Sequence, residues 1–127
     1  MTDVIVDASA ILAAIKDEPG GRRVDRDARG ARISAINYSE IVGWLAERGA
    51  SVQEIETLIG VFDLSIEAFD DPRAMAAGLL AVKTKRRNIS LADRACLALA
   101  IELGMPVLTG DRAWRDLDIG VEVQLFR

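Results

Sequence analysis

Four carboxylates lie at positions in the sequence where burial is expected and an acidic side chain is therefore unfavourable without a partner. Asp7 directly follows an apolar run at residues 4–6, and Asp111 directly follows the strand-like segment "PVLTG". Glu40 and Asp93 lie in helix-like segments, on arcs whose other residues are largely apolar. Acidic groups on such faces are unfavourable unless they are paired or bound to a metal. Hard cations such as Mg²⁺ or Mn²⁺ prefer oxygen ligands, and they suit hydrolysis of phosphodiesters.

Each carboxylate also has a structural explanation. Asp7 and Asp111 stand at predicted helix starts, where aspartate is a good N-cap. Asp93 follows Ser90 by three residues, which approximates a capping box. Glu40 lies in mid-helix and could pair with a basic residue. Taken together, four converging carboxylates would repel one another and raise one another's pKa, and a divalent cation removes that repulsion. We therefore interpret the set as a metal site.

The composition excludes several classes of enzyme. The chain has 127 residues, a net charge of −4 and no histidine, which removes Ser-His-Asp and Cys-His catalysis and imidazole metal ligands. The single cysteine, Cys96, cannot form an intramolecular disulfide and suits a reducing compartment. The opening residues lack a signal-peptide pattern, and no apolar run is long enough to cross a membrane. We expect a soluble cytoplasmic protein.

Apolar runs and helical periodicity alternate along the chain, which predicts crossover connections between parallel strands. The expected architecture is one three-layer α/β/α domain over residues 1–127, with a mostly parallel central sheet flanked by helices. Strands are predicted at residues 4–7, 31–34, 63–69, 106–110 and 120–126, and helices at 8–16, 22–30, 35–49, 52–62, 72–88, 91–104 and 111–117.

Four sequence blocks resemble a known family. "VIVDASAILA", "SAINYSEIVG", "SLADRACLALA" and "PVLTGDRAW" are similar, in order and spacing, to the signature blocks of PIN-domain ribonucleases. More narrowly, they resemble the VapC toxins of bacterial type II toxin–antitoxin systems. The blocks extend from residue 4 to residue 114, so the resemblance covers nearly the whole chain and implies a PIN-like fold.

The resemblance implies a role for each carboxylate. Asp7 and Asp93 correspond to the main Mg²⁺ ligands, and Glu40 and Asp111 complete the catalytic site directly or through water. Mn²⁺ is the other metal expected. The family implies a metal-dependent endoribonuclease that cleaves tRNA, rRNA or mRNA and thereby inhibits translation. It also implies a homodimer and a small VapB-like antitoxin, which often places an arginine in the acidic pocket.

Three polar residues match positions beside the acids in the family blocks. Ser9, Asn37 and Thr109 are the candidates for orienting the carboxylates through hydrogen bonds. Asp116 lies one turn beyond the last acid, and we interpret it as part of a solvated helix face. Trp114 belongs to the last block, and we expect it to pack in the core rather than to stack on bases.

An acidic protein that binds RNA needs local basic patches. The segment "KTKRRN" is the strongest candidate and leads directly to the Asp93 helix, and "GRRVDR" is the second. A solvated helix end explains either patch equally well. The predicted RNA-binding residues are Lys83, Lys85, Arg86 and Arg87, with Arg22, Arg23 and Arg26 in the second patch.

Other functions remain open at this point. A PIN-like module that has lost catalysis and acts through a protein partner is one alternative. An Mg²⁺-dependent aspartyl phosphotransferase is a weaker one, because related phosphatases need a second aspartate where Ser9 stands. A third alternative makes the acids purely structural caps, and it predicts that no metal binds.

Overall fold

A computed structural model describes residues 3–127. Its strands are short, and the helices between them provide the crossover connections that parallel strands require. The strands are β1 Ile5–Val6, β2 Arg32–Ser34, β3 Ser65–Glu67, β4 Val107–Thr109 and β5 Val123–Leu125. The helices are α1 Ala8–Ile15, α2 Gly21–Asp27, α3 Ala35–Glu47, α4 Val52–Gly60, α5 Asp71–Thr84 and α6 Leu91–Leu103, followed by a 3₁₀-helix at Arg112–Asp116.

The five strands form one parallel sheet in the order β3-β2-β1-β4-β5. β1 is central, and its Ile5 lies opposite Arg32 of β2 and Val107 of β4. All carboxyl ends therefore lie along one edge, where open parallel sheets bind their ligands. The predicted α/β/α architecture is confirmed.

Alternate residues of the central strands supply two hydrophobic clusters. Val4 and Val6 of the β1 segment join a cluster with α1 to α4, whereas Ile5 joins a cluster with α5 and α6. β4 divides in the same way, with Leu108 in the first cluster and Val107 in the second. Because successive strand side chains point to opposite faces, the sheet is the middle of three layers.

Side-chain caps fix where several helices begin. Ser34, Ser51 and Ser90 cap α3, α4 and α6, each accepting a hydrogen bond from a backbone N–H group in the first helical turn. Gly104, in the left-handed conformation, ends α6. Within residues 3–127, no helix is long and apolar enough to span a membrane.

Two predicted helices differ from the structure. The helix expected to reach residue 88 ends at Thr84, and residues 85–88 form a turn. Asn88 has φ of +54°, a conformation that an α-helix cannot contain. The short helix after β4 is 3₁₀ rather than α, as is common for brief connections beside a sheet.

Candidate active site

Asp7 is the buried carboxylate at the end of β1, and it also caps α1. Its side chain is 6% exposed. Oδ1 accepts hydrogen bonds from Ser9 Oγ at 2.7 Å and from the Ala10 backbone N–H at 3.1 Å. Oδ2 accepts one from Thr109 Oγ1 at 2.6 Å. Strand, helix and neighbouring strand therefore hold this carboxylate in a single orientation.

Burial changes the acidity of Asp7. Loss of water raises its pKa from 3.8 to about 6, and the nearby negative charge of Asp93 adds to the increase. The hydrogen bonds from Thr109, Ser9 and Ala10 lower the pKa and offset part of the effect. The charged form of Asp7 is therefore costly in this position, and a cation next to it would favour ionisation.

Asp93 belongs to the capping box of α6. Its Oδ2 accepts a hydrogen bond from the Ser90 N–H at 3.1 Å, while its own N–H donates to Ser90 Oγ at 3.1 Å. Its Oδ1 has no hydrogen-bond partner in the described part of the chain. The capping role is thus confirmed, and it occupies only one of the two carboxylate oxygens.

Glu40 lies on α3 and is tied to α6 through Asn37. The Asn37 amide is buried, and its Nδ2 donates to Glu40 Oε1 and to Ala92 O, each at 3.2 Å. Ala92 directly precedes Asp93, so one amide sets the spacing between the two acidic segments. The expectation that Glu40 faces the core is wrong, because its side chain is exposed at the open sheet edge.

Asp111 starts the 3₁₀-helix after β4. Its Oδ1 accepts a hydrogen bond from the Ala113 N–H at 3.0 Å, and its own N–H donates to Thr109 Oγ1 at 3.1 Å. Its side chain is exposed. Since Thr109 also donates to Asp7, one hydroxyl links the segments that carry these two acids.

The buried thiol of Cys96 lies within the electric field of three of the acids. Burial raises its pKa well above the usual value, and the charges of Asp7, Asp93 and Glu40 raise it further. These carboxylates come from three elements, β1, α6 and α3. The hydrogen bonds of Asn37 link the Glu40 and Asp93 segments, and those of Thr109 link Asp7 with Asp111, so the four predicted acids form two connected pairs.

The acids form an open rim rather than a closed cage. Within residues 3–127, no three Asp, Glu, Cys or His side chains converge tightly enough to enclose a metal ion. Mg²⁺ is usually held by one or two carboxylates together with water or phosphate oxygens. The rim offers only carboxylate oxygens, which are the ligands that Mg²⁺ prefers. The buried Asp7, whose pKa is raised, would also be stabilised in its charged form by a nearby cation.

Other candidate residues lie around this rim or apart from it. Trp114 is buried in the second hydrophobic cluster, as predicted for a packing residue, and Asp116 is exposed. The four basic residues of the "KTKRRN" segment are exposed at the end of α5 and in the following turn. The nearby Arg94 instead donates to the carbonyls of Ala77 and Ile89.

A family model, the PIN domain, matches residues 4–120. The chain belongs to the PIN-domain family. The resemblance inferred from the four sequence blocks is therefore confirmed, and the matched range includes every acid of the rim. No curated protein matches the chain significantly.

Solved structures share the fold of this PIN domain at low sequence identity. DNA-bound VapBC from Salmonella typhimurium aligns with a TM-score of 0.76 at 18% identity, covering 100% of both chains. A toxin–antitoxin complex from Klebsiella pneumoniae gives 0.77 at 16%, covering 98% of both. FitAcB from Neisseria gonorrhoeae gives 0.67 at 21%, covering 94% of this chain and 95% of the other. At these identities the likeness concerns the fold.

Proposed function

We propose that this PIN domain is a metal-dependent endoribonuclease and the VapC-type toxin of a toxin–antitoxin pair. The observation that carries the proposal is Asp7, a buried carboxylate held by two hydroxyl groups at the edge where the other acids lie. Cleavage of tRNA, rRNA or mRNA would inhibit translation. The proposal covers residues 1–127 as one domain that acts in the cytoplasm, in keeping with its single cysteine.

Asp7 and Asp93 are the proposed main ligands of Mg²⁺ or Mn²⁺, with Glu40 and Asp111 completing the site directly or through water. A divalent ion bound there would polarise a phosphodiester and lower the pKa of a water molecule. The donor set consists of hard oxygens, which favours these ions over softer metals.

The protein's own contribution is orientation. Ser9 and Thr109 fix both oxygens of Asp7, so its carboxylate does not have to be ordered again when substrate arrives. Asp93 Oδ2 and Asp111 Oδ1 are fixed as helix caps. Asp93 Oδ1, which accepts no hydrogen bond in the described residues, is the oxygen left to bind the metal. Asn37 holds Glu40 beside them.

RNA attraction is proposed for the exposed segment before α6, where Lys83, Lys85, Arg86 and Arg87 lie. Replacing Lys85, Arg86 and Arg87 by glutamate should weaken RNA binding and reduce its salt dependence, because phosphate contacts release counterions. Thermal melts serve as the control for folding. RNA binding that stays unchanged at low salt would remove this patch from the proposal.

Two protein partners belong to the proposal. The solved structures with this fold include VapBC complexes, and an open acidic rim offers carboxylates to an arginine fork of a VapB-like antitoxin. A homodimer is supported by an apolar stripe on α5, formed by Met75, Leu79 and Val82 at 66%, 64% and 72% exposure. We name this surface the α5 stripe. In α3 and α4, by contrast, Ile41, Leu45, Ile55 and Ile59 are in the core, although Val52 at the start of α4 is exposed.

The first experiment is cleavage of total cellular RNA by the purified protein. It compares Mg²⁺ with EDTA and the native chain with Asp7→Asn and Asp93→Asn. Discrete fragments that require the metal and both carboxylates would support the nuclease. Absence of cleavage, in protein that binds metal and is free of antitoxin, would favour the silent binding module.

Thermal melts with and without Mg²⁺ separate a metal site from purely structural caps. Ligand binding to the folded state raises the Tm, so Mg²⁺ should stabilise the native chain. The same addition should have little effect on Asp7→Asn or Asp93→Asn. Equal Mg²⁺ effects on all three proteins would exclude these two carboxylates as ligands.

A further inference from the structure

A second feature lies on α3, one helical turn beyond Glu40. Trp44 is half-buried at the edge of the first hydrophobic cluster. The guanidinium carbon of Arg48 lies 3.7 Å from the centroid of its ring, and Lys16 Nζ, from the end of α1, lies 5.1 Å from it. One aromatic ring therefore holds two cations from different helices, at distances typical of cation–π interactions.

Arg48 is fixed but largely unused as a hydrogen-bond donor. Its Nη1 donates to Trp44 O at 3.0 Å, and within residues 3–127 it has no ion pair with a carboxylate. A guanidinium carries five N–H donors, so four remain for a ligand. Stacking on an aromatic ring orders this side chain in advance and leaves its planar edge exposed.

The cations around the ring differ in how they are paired with acids. Lys16 pairs with Glu18 at 3.3 Å, and Arg127 shares the same carboxylate at 3.5 Å. The exposed acids Asp17 and Glu47 are chain neighbours of Lys16 and Arg48, but neither forms an ion pair in the described residues. An ordered guanidinium without a carboxylate partner, beside an exposed lysine, is suited to bind the phosphates of a nucleic-acid backbone.

We propose that Trp44, Arg48 and Lys16 form an RNA-backbone subsite that binds phosphates flanking the cleavage position. This inference rests on the proposed ribonuclease function and adds a contact distinct from the "KTKRRN" segment. Trp44 follows Glu40 by four residues on α3, and Arg48, which caps the end of α3, follows by four more, so Trp44 and Arg48 lie roughly 6 Å and 12 Å along the helix from Glu40. Arg48 and Lys16 bind phosphate oxygens, and Trp44 keeps both in place.

The test is binding of a fluorescein-labelled, mixed-sequence single-stranded RNA in EDTA, so that the RNA stays intact. Arg48→Gln and Lys16→Gln should each weaken binding roughly 3- to 10-fold at low salt and reduce the salt slope by about one phosphate contact. Arg29→Gln removes the same charge at an exposed position away from the ring and serves as the matched control.

Trp44→Leu tests the ring itself. It should weaken RNA binding about as much as Arg48→Gln, and the double variant should be little worse than either single one, because both changes remove one shared contact. The chain has two tryptophans, and Trp114 is 1% exposed. RNA should therefore quench the emission of Trp44, and this quenching should disappear in Trp44→Leu. Thermal melts show whether each variant is folded.

The outcomes separate this inference from the proposed function. In one outcome the native chain binds RNA, and the three subsite variants bind it as tightly as the control Arg29→Gln; these variants are Arg48→Gln, Lys16→Gln and Trp44→Leu. The proposed subsite is then wrong, and the ribonuclease proposal stands. If the native chain binds no RNA at any salt concentration, the proposed function fails as well. Unchanged RNA binding together with burial of Trp44 in a complex with a co-expressed antitoxin would assign this surface to the antitoxin.

Discussion

Asp7→Asn should stabilise the metal-free protein at neutral pH, although it removes a residue proposed to be essential for catalysis. The substitution keeps the shape of the side chain and removes its charge. The amide oxygen of the new asparagine can accept the hydrogen bonds from Ser9 and the Ala10 N–H. Its amide nitrogen can donate to Thr109 Oγ1. What it removes is the cost of ionising a carboxylate that is 6% exposed.

The magnitude follows from the pKa of Asp7, which burial raises from 3.8 to about 6. Between these values the folded state binds a proton that the unfolded state releases, so the native chain loses stability as the pH rises through this window. At 1.36 kcal/mol per pKa unit, the full penalty is about 3 kcal/mol and is present above pH 6. For a chain of this length, that corresponds to roughly 10 °C in Tm.

The assay is thermal unfolding in EDTA from pH 4 to pH 8. The Tm advantage of Asp7→Asn over the native chain should be small at pH 4 and should grow to its maximum above pH 6. Asp3→Asn makes the same change at an exposed site and should shift the Tm by no more than about 2 °C. An advantage that does not vary with pH, or an Asn variant less stable at pH 8, would refute the reasoning.

Further predictions concern the supports of the site and the α5 stripe. Thr109→Val leaves a buried carboxylate oxygen without its donor and should cost about 1–3 kcal/mol in urea unfolding at pH 7; a cost below ~0.5 kcal/mol would contradict it. Leu79→Glu should leave the fold intact but abolish the homodimer in light scattering, whereas Val52→Glu, on α4, should not. Dimers in both variants would exclude the α5 stripe. Asn37→Leu frees Glu40 and should weaken Mn²⁺ binding in calorimetry roughly 10- to 100-fold, and it should also lower the Tm, because the buried hydrogen bond to Ala92 O is lost. Unchanged affinity would show that Glu40 is positioned without this amide.

Local signals in the sequence were enough to predict most elements. Apolar runs and helical periodicity predicted five strands and their connecting helices, and α6 begins with the capping box expected from Ser90 and Asp93. The strand order β3-β2-β1-β4-β5 was not predicted, because pairing joins residues far apart in the chain. The end of α5 was missed because the left-handed Asn88 has no strong signature beside basic residues.

The candidate site was predictable where it depends on topology. Carboxyl ends of parallel strands meet at one edge, and this rule placed Asp7 and Asp111 on the same side of the sheet. Helical periodicity placed Glu40 among apolar neighbours but could not show that this part of α3 reaches solvent. The spacing of Trp44 and Arg48 at i and i+4 was a visible signal for stacking, whereas the approach of Lys16 depends on how α1 packs against α3.

From the sequence, helix capping and metal binding are alternative roles for Asp93 and Asp111. In the structure, the two roles are compatible. Asp93 caps α6 with Oδ2, and Asp111 caps the 3₁₀-helix with Oδ1, so each has one oxygen committed to backbone N–H groups. A cap fixes the rotamer during folding, so little side-chain entropy remains to be lost when a ligand binds. Because the amide oxygen of an asparagine at position 93 can still accept the hydrogen bond from the Ser90 N–H, the stability of Asp93→Asn alone does not distinguish the two roles. The change in Tm on adding Mg²⁺ does distinguish them. If Asp93 is only a cap, Mg²⁺ should stabilise the native chain and Asp93→Asn equally. If Asp93 is a metal ligand, the variant should lose the stabilisation by Mg²⁺, because it has lost the carboxylate charge that binds the ion.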